Sequence, residues 1–236
     1  PTVAAFVLHS AFLIAAALAV YSIGVAVADR FAAMLAAVAF GLHIPLVRTL
    51  GSDYVNGAVV TYSVLSAAVL LRAHRNGSLR LALLAGVVAG AMVHSNIASG
   101  LLFPAMLTWL LPASLDRAAV RRSVLELLAW TAGIVVCTAV LAVVGVTRGS
   151  SWLFFVPSLS WVARMGTENP WDVAGLQWMG APWMFAHAAM VGAAVMLPFW
   201  ARRRDAIGEW ETKGCASFVV TVLIFVEVMT GFRVAL

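Results

Sequence analysis

Charge is what this sequence has least of. Of its 236 residues, 11% are Asp, Glu, Lys or Arg and 63% are hydrophobic, whereas a soluble domain carries about 25% charged residues. That deficit excludes an ordinary soluble fold and leaves an all-α, polytopic transmembrane helical bundle. Acids are scarcer than bases, 10 against 15, for a net charge of +5. The basic residues fall in short clusters between apolar runs, as membrane loops do, so the lipid bilayer is the expected partner and nucleic acid is not. Cysteine is nearly absent. Cys137 and Cys215 lie within or at the edge of apolar runs, without Cys-x-x-Cys or Cys/His spacing, so neither a disulfide framework nor a metal site is indicated. No basic n-region or cleavage site opens the chain; an apolar run follows Pro1 directly, and the sequence is expected to be a piece of a longer one.

What is present is a series of apolar runs of membrane length. About 20 apolar residues cross a hydrocarbon core of roughly 30 Å, and on that measure the chain holds about seven to eight membrane segments in one integral membrane domain, 1–236. The first covers about 2–28 and ends at Asp29 and Arg30; a shorter one, 31–44, follows. Another spans 54–71 and leads into the basic stretch 72–80. Residues 81–113 carry no charge but are interrupted by His94, Ser95, Asn96, Ser99 and Gly100, which predicts a hairpin of two short helices. A crossing over 123–146 is followed by an aromatic, outer amphipathic loop at 147–177, and crossings at 178–200 and 215–232 complete the chain. Trp152 and Trp171 in that loop are of the type that anchors at a membrane interface.

Between the second and third segments lies a polar, turn-rich island, 43–57. Pro45 and Gly51 predict that one helix ends there and that another begins near Ser52. Asp53 and Arg48 in this island are functional candidates, because an acid and an arginine beside a membrane helix end are costly without compensation. The alternative is that Asp53 caps a helix and Arg48 snorkels to a headgroup. Glu227, deep in the last segment, is open to the same two readings, function or a bundle-facing protonated acid.

The order of these features resembles the membrane half of the GT-C glycosyltransferases, most closely their protein mannosyltransferase and lipid A aminoarabinose transferase branch. The residues that carry the resemblance are a short Ala-rich helix ending at Pro45, Asp53 opening the next helix, an arginine loop, then Leu-Ala-Leu-Leu-Ala-Gly-Val-Val-Ala-Gly-Ala-Met-Val-His-Ser-Asn over 81–96 and Leu-Leu-Phe-Pro over 101–104. It covers 1–112 as a GT-C-like core and 113–236 in topology. Gly86 and Gly90 form a Gly-x-x-x-Gly pair that is also an ordinary device for close helix packing. The resemblance implies transfer of a sugar from a polyprenyl-phosphate donor to an acceptor at the outer or lumenal face, in a bacterial inner membrane with the polar site toward the periplasm.

On that implication Asp53 is the catalytic candidate, since a carboxylate can accept or orient the acceptor's hydroxyl proton. Glu168 and Asp172 are secondary acidic candidates. The donor phosphate calls for fixed positive charge or several donors, for which Arg48, Arg148, Arg164, His94 and Asn96 are available on the outer side. His94, Ser95 and Asn96 are equally suited to satisfying free backbone groups at a helix break inside a membrane. Two features depart from the family: its principal acid, in the first outer loop, would precede residue 1, and the hairpin turn carries His94 and Asn96 but no lysine. Sugar, acceptor, cofactor and metal requirement leave no mark in the sequence. The competing function is a transporter or a non-catalytic subunit of a membrane-protein complex. A transporter usually repeats its broken helices in both halves, and the break at 94–100 has no counterpart in the second half.

Charge asymmetry orients this layout. If 29–30, 72–80, 114–122 and 201–213 face the cytoplasm, they hold eleven of the fifteen Lys and Arg, leaving Arg48, Arg148, Arg164 and Arg233 opposite. Single cysteines at Arg75, Arg121 and Arg203, in a background without Cys137 and Cys215, are expected to be protected from an impermeant thiol reagent in intact cells. Cysteines at Ser52, Asn96 and Thr167 are expected to label. Protection at position 96 together with the cytoplasmic set would exclude the hairpin reading of 81–113.

Overall fold

A computed structural model describes residues 2–42, 56–112 and 116–157 and six positions from 213 to 221. Its described residues are helical, with no strand. Helix α1 is Thr2–Val27, α2 Arg30–Leu42, α3 Asn56–Asn76 and α4 Leu79–Ser95. A 3-10 turn at Ile97–Leu102, a short α5 at Phe103–Leu107 and a second 3-10 turn at Thr108–Leu110 precede α6, Arg117–Thr147. The chain divides into two compact units, residues 1–100 with 109–154, and residues 101–108 with 155–236.

In the first unit the turns follow from local chemistry. Asp29 Oδ1 accepts from the Ala32 N–H at 2.8 Å and so caps α2, and Asp116 Oδ1 does the same for α6 through Ala118 and Ala119. Gly77, at φ 63°, closes α3 with the Ser78 N–H on the Ala73 carbonyl and the Gly77 N–H on that of His74, the paired bonds of a Schellman turn. Gly149, at φ 85°, closes α6 the same way through Gly145 and Val146. The expected basic loop at 72–80 is therefore mostly helix. Its non-helical part is Gly77 and Ser78, and the arginines project from helix ends.

The contacts fix the direction of each helix. Thr61 Oγ1 donates to the Phe12 carbonyl and the Phe12 and Tyr62 rings meet edge-on, while Tyr21 to Ala26 and Ala68 to Asn76 flank a common cavity, so α1 and α3 run parallel. Ser66 Oγ donates to Ala85 O, and Ser63 Oγ reaches Met92 Sδ, so α3 and α4 are antiparallel. Gly86 abuts Trp130 and Gly133, Gly90 abuts Ile134 and Cys137, and His94 reaches Thr138, so α4 and α6 run parallel. Arg30, Arg72, Arg75, Arg80, Arg117, Arg121 and Arg122 thereby gather at one end, here termed the basic end, and Arg148 lies toward the other.

Helices α1, α3 and α6 are long and apolar enough to cross a membrane, and α2 and α4 are shorter apolar helices; the protein is an integral membrane protein. Phe6, Leu18, Leu128 and Val135 are each more than half exposed, which suits surfaces facing lipid tails. The expected crossing at 178–200, most of that at 215–232 and the part of the aromatic loop after Pro157 lie outside the described residues, while the described positions 216, 217, 219 and 221 are helical. Within 97–110 the structure departs from the expected second helix, which is divided into three short turns. Pro104 sits in the first turn of α5, where its missing N–H costs nothing. Carbonyls released by the breaks are met by hydroxyls: Ser99 Oγ lies within reach of Met92 O and Asn96 O, and Thr108 Oγ1 donates to Ala105 O. In the second unit Ser217 Oγ also donates to Ala105 O, at 2.8 Å. Lys213, grouped with a loop by its sequence position, is helical and buried there.

The tightest packing in the first unit is between α4 and α6. A Cβ placed on Gly86 would run into the Trp130 carbonyl, and one on Gly133 into the Leu83 carbonyl; at Gly90 it would lie 2.7 Å from Cys137 Cβ. Backbone cannot yield as a side-chain tip can, so Gly86→Ala and Gly133→Ala are each expected to cost more than about 3 kcal/mol. Gly41→Ala, with nothing within 4 Å of the new methyl, is expected to stay within about 1 kcal/mol of wild type. Unfolding followed by circular dichroism in detergent micelles measures the contrast.

Candidate functional site

The end opposite the arginines holds His94, Asn96 and Arg148. His94 occupies the last turn of α4, and its Nε2 lies 2.8 Å from Thr138 Oγ1 on α6. Thr138 gives its own proton to the Ile134 carbonyl, 3.0 Å away, so Nε2 is the donor in the His94–Thr138 pair. A neutral His94 then presents an acceptor lone pair at Nδ1, and it can donate to an anion from Nδ1 only as the imidazolium. Its ring also packs on Phe154, with centroids 5.1 Å apart, which brings the chain after α6 back onto the α4 terminus. Asn96 is the C-cap of α4, with extended backbone and its N–H on Met92 O. Ser95 Oγ turns back to Ala91 O. Of the trio, Ser95 thus bonds to backbone through its side chain, while His94 ties α4 to α6 and Asn96 caps α4 through its own N–H.

Arg148 is the exposed C-cap of α6, its N–H on the Gly145 and Val146 carbonyls. From Thr138 to Arg148 is about 15 Å of helix, so the structure brings His94 and Asn96 together and leaves Arg148 at a distance. Arg48 and Asp53, with Arg164, Glu168, Asp172 and Glu227, lie outside the described residues.

A second constellation, at the basic end, was not singled out from the sequence. Glu126 is fully buried on α6, inside the apolar run taken as a crossing. Its Oε2 accepts from His74 Nδ1 on α3, itself 7% exposed. Its Oε1 accepts from Arg122 Nε, 2.9 Å away and one turn earlier on α6. Each carboxylate oxygen therefore has a charged or polar donor, the condition under which a carboxylate is tolerated away from water. The guanidinium of Arg122 in turn lies over Gly77, 3.5 Å from where a Cβ would stand, so the cluster also covers the α3–α4 turn. The sequence signal was a lone acid four residues after an arginine in an otherwise uncharged run, together with a lone histidine near the end of the preceding span. The pairing across 52 residues is a tertiary fact that neither segment carries alone.

No family model, curated protein or solved structure matches the chain.

The cluster ties α3 to α6 and uses no group at the opposite end, so its removal should affect stability before anything else. Glu126→Ala leaves a buried imidazole without its carboxylate and is expected to cost about 3 kcal/mol or more. Arg122→Gln, whose side chain is 44% exposed, is expected to cost about 1 kcal/mol or less. A double-mutant cycle between His74→Leu and Glu126→Leu, read by unfolding in micelles, should give a coupling of at least about 1 kcal/mol; additive losses would show that the two helices are held by other contacts.

Proposed function

We propose that this integral membrane protein is the membrane portion of a GT-C-type glycosyltransferase, which moves a sugar from a polyprenyl-phosphate donor to an acceptor at the end opposite its arginines. By the positive-inside rule that end faces away from the cytoplasm, the periplasmic side in a bacterial inner membrane. The observation that supports the reading is the unequal make-up of the two ends. Seven arginines close one of them, while at the other α4 has its polar break, α2 ends at Leu42 and α3 begins at Asn56. The exposed apolar sides of α1 and α6 offer the lipid contact that a polyprenyl tail needs.

In this scheme the acceptor oxygen attacks the anomeric carbon, the bond from that carbon to the donor phosphate oxygen breaks, and polyprenyl phosphate leaves with the bonding pair. The acceptor proton passes to Asp53 or is oriented by it. Arg48 and the outer arginine Arg164 neutralise the leaving phosphate, with Arg148 adding positive charge from farther along the outer side. His94 and Asn96 stand on the same outer side as further hydrogen-bonding candidates.

One observation favours the alternative, a non-catalytic subunit of a larger membrane complex: His94 and Asn96 already serve the fold, through Thr138, Phe154 and Met92. Asp53→Asn separates the two. Asn caps a helix about as well as Asp, so as a cap the variant keeps both expression and transfer; as the acceptor-orienting acid it folds normally and loses on the order of 10²-fold or more in turnover. The assay is transfer of radiolabelled sugar from polyprenyl phosphate in proteoliposomes. Full activity in folded Asp53→Asn would remove Asp53 from the mechanism, and no transfer by the wild-type protein, alone or in native membranes, would favour the subunit.

A further inference from the structure

At the basic end a cavity of about 470 Å³ opens between α1, the start of α2 and the end of α3. Its polar lining is Arg30, Arg72 and Arg75 with Ser22, Tyr21 and Asn76, and its apolar lining includes Val25 and Leu71. No Asp or Glu is among the described residues that line it. Three guanidinium groups are thus brought to one opening, with the Asp29 carboxylate capping α2 beside Arg30. Arginine's planar fork matches the oxygens of a phosphate.

The apolar lining identifies what kind of anion. A free phosphate would use the arginines and leave the apolar side unoccupied. A phospholipid would place its phosphate among the arginines and its glycerol and first acyl carbons along Val25 and Leu71, at the depth where α1 and α3 enter the bilayer. The volume lies within the range of small-molecule sites and greatly exceeds what one phosphate fills. Basic pockets between membrane helices at the cytoplasmic surface are suited to anionic headgroups in this way. We infer that this cavity is a binding site for the phosphate headgroup of an anionic phospholipid of the adjacent leaflet. The site is independent of the proposed transfer reaction, which belongs to the opposite end.

The test uses the full chain in phosphatidylcholine nanodiscs containing a minor fraction of phosphatidylglycerol, extracted into mild detergent and weighed by native mass spectrometry. Wild type should retain phosphatidylglycerol in preference to phosphatidylcholine. Arg72→Gln with Arg75→Gln, and separately Arg30→Gln, should lower that preference about fivefold for each arginine removed, the weight one cationic side chain carries near an anionic headgroup. Arg121→Gln, at the same end but outside the cavity, should leave it unchanged. Size-exclusion elution confirms folding, and Arg72→Lys with Arg75→Lys, which keeps the charge, should restore part of the preference. Equal retention in the Gln variants, or an equal loss in Arg121→Gln, would overturn the site. Displacement of the retained lipid by millimolar inorganic phosphate, with the same arginine dependence, would overturn the lipid assignment in favour of a free-phosphate site.

Discussion

The arrangement of the first unit depends on two helix backbones in direct contact. Between α4 and α6 the residues at the crossing are Gly86 and Gly133, with Gly90 and Cys137 one turn on, and no side chain larger than a hydrogen separates the carbonyls at the closest point. Inside a bilayer there is little hydrophobic gain in moving a leucine from lipid to protein, so dispersion and close fit must hold helices together. Contact at this distance also fixes the axial register. Sliding α6 by one residue would drive a branched side chain into the α4 backbone. His94 therefore meets Thr138, and Glu126 is delivered to the level of His74, because the glycines allow one setting.

Much of this was legible in advance, and the reasons are local. Runs of apolar residues, the end of the first segment at Asp29 and the polar break at 94–96 act through neighbours within a turn or two, so sequence reports them, whereas the Gly77 turn and the Asp29 and Asp116 caps, though equally local, were not singled out. The helix ends moved because capping chemistry, not hydropathy, sets them: α3 continues to Asn76 and α6 begins at Arg117, both beyond the apolar cores. What sequence did not report is pairing at a distance. Glu126 was passed over as part of a span because its partner is on another helix, and the contacts of His94 with Thr138 and Phe154 lie equally far along the chain. Of the proposed site, His94, Asn96 and Arg148 have a described setting; Arg48 and Asp53 rest on their sequence position alone.

The two ends of this unit solve opposite electrostatic problems. At one, seven arginines meet a single buried carboxylate, so positive charge is in excess and is available to the membrane surface or to a bound anion. At the other, the described residues carry little charge, and His94 is engaged by Thr138 and Phe154. Among the described residues, positive charge is thus concentrated at one end of the unit.

The Glu126–His74 pair also bears on how the chain is made. A carboxylate entering a bilayer alone is expensive, and α6 carries one within its apolar stretch. Residue 74 is synthesised before residue 126, and α3 and α4, joined by the two residues Gly77 and Ser78, can enter the membrane as a preformed pair. The histidine is then already stationed at the basic end when α6 emerges, with Arg122 arriving on α6 itself just ahead of the acid. The order of residues along the chain thus supplies the acid's partners before its own insertion is complete, and the last helix of the unit finds both its charge partner and its glycine groove waiting.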